Sequence, residues 1–429
     1  MKTYLFLFFF TVISILNGFS QTRYYVSATG SPTGTGTSWA TACSDLQLII
    51  NTASARDTIW VAQGTYVPIR PANDLARIDS NNRDNAFAIS ENISIYGGFT
   101  GMETQLSQRD WKKNLTILSG DIGTLNDNTD NCYHVVITHS CDAYIDGFTI
   151  TKGNATGTDN LIFQSYAIPR GDGGGIYNGQ VALLLINSNI INNTANWGGG
   201  IYNENASFTI RYSNISNNIA NWGGGIYDEV GSLNINYSNI SYNTANENGG
   251  GILKKGGLML ATSSLFSNNQ ASTGGAIYSY SEGGEVTGDF RGLLVSVTIT
   301  KNMASNAGAI YHNSSDQFFI YNSILYGNTG IAGMNEIDGN SFAIIYSLIQ
   351  NVTSTTQGNI NGNTNPLFKD PNNDNFRLQQ NSPVIDVGNN SLLSIDDMSG
   401  LIDLDGRPRI INGTIGCISN CRFFQEAIL

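Results

Sequence analysis

The chain has 429 residues, 13% of them charged, with 48 glycines and a formal net charge of -12. This is not a helical enzyme's composition: long Lys/Glu/Ala-rich stretches are missing, and short β-branched runs alternate with Gly/Asn/Ser clusters, the pattern of strands and turns. With 21 Lys plus Arg against 33 Asp plus Glu, no basic stripe is available to displace counterions, so a nucleic-acid partner is not expected.

The first element is the apolar run in "MKTYLFLFFFTVISILNGFSQ". One Lys, an apolar stretch from Tyr4 to Leu16 and a small-x-small ending at Gly18 and Ser20 read as a secretory signal peptide over residues 1–20, cleaved before Gln21. The stretch is short for a membrane span. The mature chain is therefore expected to be secreted or attached to the outer-membrane surface, with no transmembrane segment left after cleavage. Residues 21–84 read as an N-terminal cap and first strands. Ser44 with Gln47 suggests a capping box, and Leu46, Ile49 and Ile50 make the apolar stripe of a short helix closing that end. The five cysteines, Cys43, Cys132, Cys141, Cys417 and Cys421, are too few for a disulfide framework and too scattered for zinc. Cys132 and Cys141 are the candidate disulfide pair, and the odd count leaves at least one thiol over.

Residues 85–364 carry a repeat. "NWGGGIYN" at 196–203 returns as "NWGGGIYD" at 221–228, and the Ile after the glycines recurs at Ile176, Ile201, Ile226, Ile252, Ile277 and Ile310. The spacings are 25, 25, 26, 25 and 33 residues, with an insertion "SEGGEVTGDFRG" in the long one. A second series, "SNIINNTA" and its copies, places Ile190, Ile215, Ile240, Phe266, Ile299 and Leu325 in step, and a third runs through Leu183, Phe208 and Leu233. Three short strands per repeat cannot bury an apolar face alone, so successive turns must stack strand on strand. The expected fold is all-β: a right-handed single-stranded parallel β-helix of about 25 residues per coil, monomeric, with Ile and Leu ladders inside. Asn193, Asn218, Asn243, Asn269, Asn302 and Asn328 recur just after a strand and read as an inward asparagine ladder. The glycines mark a corner needing φ > 0 or close backbone approach. From residue 365 to 429 the period fades and Pro, Asp and Asn rise, which reads as a C-terminal cap.

"FSNNQASTGGAI" at 266–277 resembles the polymorphic outer-membrane protein repeat, a β-helix repeat of bacterial surface proteins, and the coils from about 170 to 330 look like its variants. The N-terminal "RYYVSATGSPTGTGTSWATACSDLQLIINTASARDTIWVAQGTY" resembles the opening of pectin-lyase-like β-helix proteins. "NPLFKDPNNDNFRLQQNSPVIDVGNN" with "DLDGRPRI" resembles the closing segment of exported proteins of the choice-of-anchor Q type. In place of the DIGAYE-like strand that usually ends those proteins, the chain runs "GTIGCISNCRFFQEAIL". The resemblance implies a surface β-helix.

For chemistry on such a scaffold, a glycoside hydrolase needs clustered carboxylates, and no convincing set is evident in the coils. A uronate lyase needs a Lys or Arg base and a charge neutraliser, often Ca²⁺. Lys254, Lys255, Arg291 and Lys301, with Arg211, are the basic residues of the central coils and form the alternative catalytic set. His134, His139 and His312 have no metal spacing and read as surface or turn residues. No cofactor is expected; Asp403 and Asp405 in "DLDG" leave Ca²⁺ as the alternative to an Asx turn. The outward position after each inward Ile carries Tyr177, Tyr202, Tyr227, Tyr278 and Tyr311, with Leu253 interrupting, and Trp197 and Trp222 stand beside them. This row is the candidate binding strip for a polysaccharide or cell-surface partner, with like-on-like stacking for stability as its other reading. The expected function is a secreted or surface adhesin or binding scaffold, with a polysaccharide lyase or glycoside hydrolase as the alternative.

Overall fold

The computed structural model describes residues 21–281, 291–330 and 336–392. The expected signal peptide, most of the "SEGGEVTGDFRG" insertion, and the tail with Asp403, Asp405, Cys417 and Cys421 lie outside the described residues. No helix among the described residues is long and apolar enough to cross a membrane.

The strands form four parallel stacks. Sheet 1 has eleven strands, from Arg23–Ser31 to Phe342–Ile345, and sheet 2 has ten, from Gly64–Tyr66 to Leu348–Ile349. Sheet 3 has nine, from Phe87–Ile89 to Ile337–Gly339, and sheet 4 seven, from Asn154–Ala155 to Thr329–Gly330. One coil runs Ile201–Glu204 in sheet 3, Ser207–Arg211 in sheet 1, Asn214–Ser216 in sheet 2 and Ile219–Trp222 in sheet 4. The seven coils that contribute to sheet 4 thus have four strands where the ladders suggested three. The fourth is the short segment after each ladder asparagine, extended because it pairs with its own copy, as Thr194↔Ile219 and Trp197↔Trp222.

The repeat register is the pairing register. Ile176, Ile201, Ile226, Ile252, Ile277 and Ile310 stand opposite one another in successive strands, all with no exposed surface. They belong to a continuous core running from Val26 to Ile349. Each such side chain contributes about 1.5–3 kcal/mol by burial, so the right-handed parallel β-helix is held by the ladders its period announces.

The triple glycine is a corner between sheets 4 and 3. Gly198 and Gly223 sit at φ +65, the left-handed region. Their neighbour Gly199 faces the coil beside it, and a Cβ there would lie 2.5 Å from the carbonyl oxygens of Gly224 and Ile219. Across the coil the asparagine ladder is continuous and buried. Asn193 donates through Nδ2 to Asn218 Oδ1 at 3.1 Å, Asn218 to Asn243 at 3.0 Å, Asn243 to Asn269 at 3.0 Å, and Asn269 to Asn302 at 2.8 Å. Asn302 donates to Asn328 at 2.8 Å, and the buried Glu336 ends the column by accepting from Asn328 N at 3.1 Å. A parallel column of Ser188, Ser213 and Ser238 lines the corner between sheets 1 and 2.

At the N-terminal end the helix Leu46–Thr52 buries Leu46, Ile49 and Ile50. Its N-cap is Asp45, whose carboxylate accepts from Leu48 N at 3.0 Å, rather than Ser44. Gln47 is no part of a capping box: it turns inward and pairs with the Ala88 backbone, accepting at 2.7 Å and donating at 3.0 Å. Satisfying a strand edge in the core outweighs a helix cap there.

Cys43, Cys132 and Cys141 are free and buried. The Cys132–Cys141 pairing is not formed, because the extended strand Val136–His139 lies between them and Cys141 Sγ is turned to the Ile89 carbonyl. The described part of the C-terminal segment runs back along a side of the solenoid. Phe368, Phe376 and Val384 pack on Leu265, Ile324 and Leu348 of sheet 2.

Candidate functional site

Alternation along sheet 3 sorts its residues into four columns. In "IYNE" and "IYDE", Ile and Asn/Asp point in, and Tyr and Glu point out. The inward polar column is Asn178, Asn203, Asp228, Lys254, Ser279 and His312, all with no exposed surface. Asn178 donates to Asn203 at 2.5 Å, Asn203 donates to Asp228, and Lys254 forms an ion pair with Asp228 while donating to Gly231 O at 2.9 Å. Burial pushes the Asp228 carboxyl up and the Lys254 ammonium down, and their attraction opposes both.

The alternative basic set is spread over the fold. Lys254 is an interior residue, not a solvated one. Lys255 bonds Glu229 at 3.0 Å. Lys301 sits after a sheet 2 strand and bonds Asp374 at 3.0 Å. Arg291 begins the sheet 1 strand Arg291–Val295. The four are placed by three different sheets. The histidines are also buried rather than on surface turns: His134 is 1% exposed, His139 6% and His312 0%. Desolvation lowers the pKa of all three, His134 to about 4. Among the described residues no group of three His, Cys, Asp or Glu is arranged to hold a metal ion.

The outward tyrosine row exists, but much of it is covered. Tyr177, Tyr202 and Tyr227 stack at 5.7 and 5.1 Å between ring centres, yet are 0%, 7% and 3% exposed. They lie in a second apolar cluster with Ala72, Ala86, Leu161, Phe163 and Ile168. Its cover includes the antiparallel hairpin of Asn160–Phe163 and Tyr166–Pro169. A bidentate ion pair, Arg170 to Asp84 at 2.7 Å through both nitrogens, ties the hairpin to the preceding loop. An exposed strip at these three tyrosines is therefore corrected: they are the floor under a roof. Trp197 and Trp222, stacked at 4.3 Å, and Tyr278 and Tyr311, stacked at 5.3 Å, are half-buried.

At the roof's rim lie carboxylates that no sequence motif had marked. Glu204 and Glu229 are register partners on adjacent coils. Tyr177 donates to Glu204, joined by Tyr166 at 2.8 Å, and Tyr202 donates to Glu229 at 2.5 Å. Asp172 occupies the corner position held by Trp in the next two coils, paired with Trp197. Desolvation and then the charges of Glu204 and Glu229 push its carboxyl up to about 7. The sequence signal was "DGGGIYN", "WGGGIYNE" and "WGGGIYDE" in one register; it shows only once the columns are laid side by side. Away from this rim, Leu106, Ser107, Arg109 and Trp111 line a shallow depression, but Arg109 is committed to Asp146 at 2.6 Å.

Residues 263–280 match the Chlamydia polymorphic membrane protein repeat. No curated protein matches the chain. Among solved structures, pectate lyase Pel9A superposes with a TM-score of 0.50 at 13% identity, covering 88% of this chain and 94% of that one. The complex of XylC with xylose gives a TM-score of 0.46 at 11% identity, over 76% of this chain and 69% of that one. At such identity the likeness to the lyase speaks for architecture alone, and the chain is a right-handed parallel β-helix of pectate-lyase-like fold carrying a polymorphic membrane protein-type repeat.

Proposed function

We propose that the protein is a secreted or outer-surface β-helix that binds a polysaccharide without cleaving it. The observation that carries this is the pair of half-buried aromatic stacks on the solenoid's flank, Trp197 with Trp222 and Tyr278 with Tyr311. Their outer edges repeat along the axis at the coil spacing of about 4.8 Å, an apolar ladder against which a sugar chain can lie. The match to a membrane-protein repeat and the apolar leader support the location. A uronate lyase gains no support from the basic residues, since Lys254, Lys255 and Lys301 are each engaged by a carboxylate. One observation favours a glycoside hydrolase as the second reading: Asp172 holds its proton near neutral pH beside Glu204 and Glu229, an acid beside two potential bases.

Affinity electrophoresis and end-group assays on pectin, alginate, glycosaminoglycan and neutral polysaccharides test both. The expected result is binding without new reducing or unsaturated ends, weakened by Trp222→Ala with Tyr311→Ala at unchanged melting temperature. Reducing ends that vanish in Asp172→Asn would replace the proposal with the hydrolase, and unsaturated ends with the lyase. Binding to none of the polymers would overturn it.

A further inference from the structure

We infer that Lys254 and Asp228 join covalently inside the solenoid, in an isopeptide bond between Lys254 Nζ and Asp228 Cγ that staples one coil to the next.

The two residues face each other across adjacent strands of sheet 3, Ile226–Glu229 and Ile252–Lys255. Both side chains have no exposed surface, and they form an ion pair. Their surroundings treat the two carboxylate oxygens differently. Asp228 Oδ1 accepts from Asn203 Nδ2. That amide is fixed as a donor, because its own oxygen accepts from Asn178 Nδ2 at 2.5 Å and its nitrogen also donates to Ala206 O at 3.0 Å. Asn178 in turn accepts from Thr138 Oγ1 at 2.5 Å, so a chain of buried hydrogen bonds ends on Asp228 Oδ1. Oδ2 accepts no hydrogen bond and meets the Lys254 ammonium as its ion pair. One oxygen is thus held as a carbonyl oxygen is, while the other stands toward the amine.

Burial disfavours both charges, and moving one proton from Nζ to Oδ2 gives the neutral amine and acid that condensation requires. The amine lone pair then attacks Cγ. The Asn203 N–H stabilises the negative charge that develops on Oδ1, as an oxyanion donor does. A second Nζ hydrogen passes to Oδ2, the Cγ–Oδ2 bond breaks, and water leaves. Atoms balance with one water released, and nothing is oxidised or reduced.

The product fits the site better than the ion pair does. The amide N–H has Gly231 O as its acceptor, already 2.9 Å from Nζ, and the amide oxygen keeps Asn203 as its donor. No charge then stays buried at this point of the column, and the oxygen without a hydrogen bond is gone. The link closes a loop from residue 228 to residue 254, which restrains the unfolded chain as a disulfide would. The cysteines among the described residues are free and supply no such restraint.

Peptide mass mapping of the full mature protein tests this. The folded protein is purified, denatured, and digested with trypsin and a glutamate-specific protease. Cleavage after Arg211, Glu229, Glu247 and Lys255 should release residues 212–229 joined to residues 248–255, one water lighter than the two together and uncut at Lys254. In Lys254→Met the two fragments should separate, each at its own full mass. Free fragments 212–229 and 248–254 from the unaltered protein would overturn the inference and leave an ordinary buried ion pair. A loss of water that persists in Lys254→Met would overturn it too, placing the dehydration at another residue. The fragments of the unaltered protein give the answer whether or not the variant folds.

Discussion

Asp172 and Glu336 are carboxyls whose pKa is raised to about 7, in both cases chiefly by burial. An acid with a raised folded pKa binds its proton more tightly when folded. Its contribution to stability is therefore complete below the unfolded value, near 4, and is lost as pH rises through about 7. The melting temperature should fall between about pH 4 and about pH 7, and Asp172→Asn should remove part of that fall, a change on the order of a few kcal/mol. Thermal melts by circular dichroism at several pH values check this; parallel curves for the two proteins would show that Asp172 is not held against its charge.

A coil of this solenoid is defined by its corner. The glycines of the GGG corner serve two purposes, and substitution separates them from a glycine that serves one. Gly199→Ala puts a methyl 2.5 Å from two carbonyl oxygens of neighbouring strands, and backbone in paired strands cannot move aside, so the expected loss is about 3 kcal/mol. Gly256 has φ +57, and a Cβ added there would meet nothing within 4 Å, so Gly256→Ala should cost only the left-handed backbone penalty, about 1 kcal/mol. Denaturant unfolding of both variants measures the difference. Equal losses would mean that the close approach at Gly199 is relieved by a small shift of the corner.

At the scale of the whole molecule the ladders form one continuous core, so a charge placed anywhere inside should be felt as global destabilisation. Ile215 is fully buried in sheet 2. Ile215→Asp should cost about 4 kcal/mol, while Thr209→Asp, pointing out of sheet 1 between buried Phe208 and Ile210, should change stability by about 0.5 kcal/mol or less. Indistinguishable melting temperatures would refute the inward and outward assignment. The cover over sheet 3 and the strap on sheet 2 are additions to this cylinder, each with its own apolar cluster.

The sequence by itself determined what lies along the axis. A period of 25 residues puts like on like, so the inward Ile ladder, the asparagine column and the glycine corner could all be read residue by residue before any coordinate. The helix that closes the first coil was legible too, although Asp45 and not Ser44 caps it. Only the tertiary structure decided what lies across the surface. Tyr177 and Tyr202 point outward as alternation requires, but their burial depends on a hairpin at 160–169 that belongs to no repeat. Lys254 was counted in the alternative basic set, and its full burial against Asp228 appears only in the structure. Glu204 and Glu229 come together as register partners. A repeat specifies each residue's neighbours above and below through strand pairing, the Asp228–Lys254 pair included, whereas lateral cover arises from segments on which the period places no constraint.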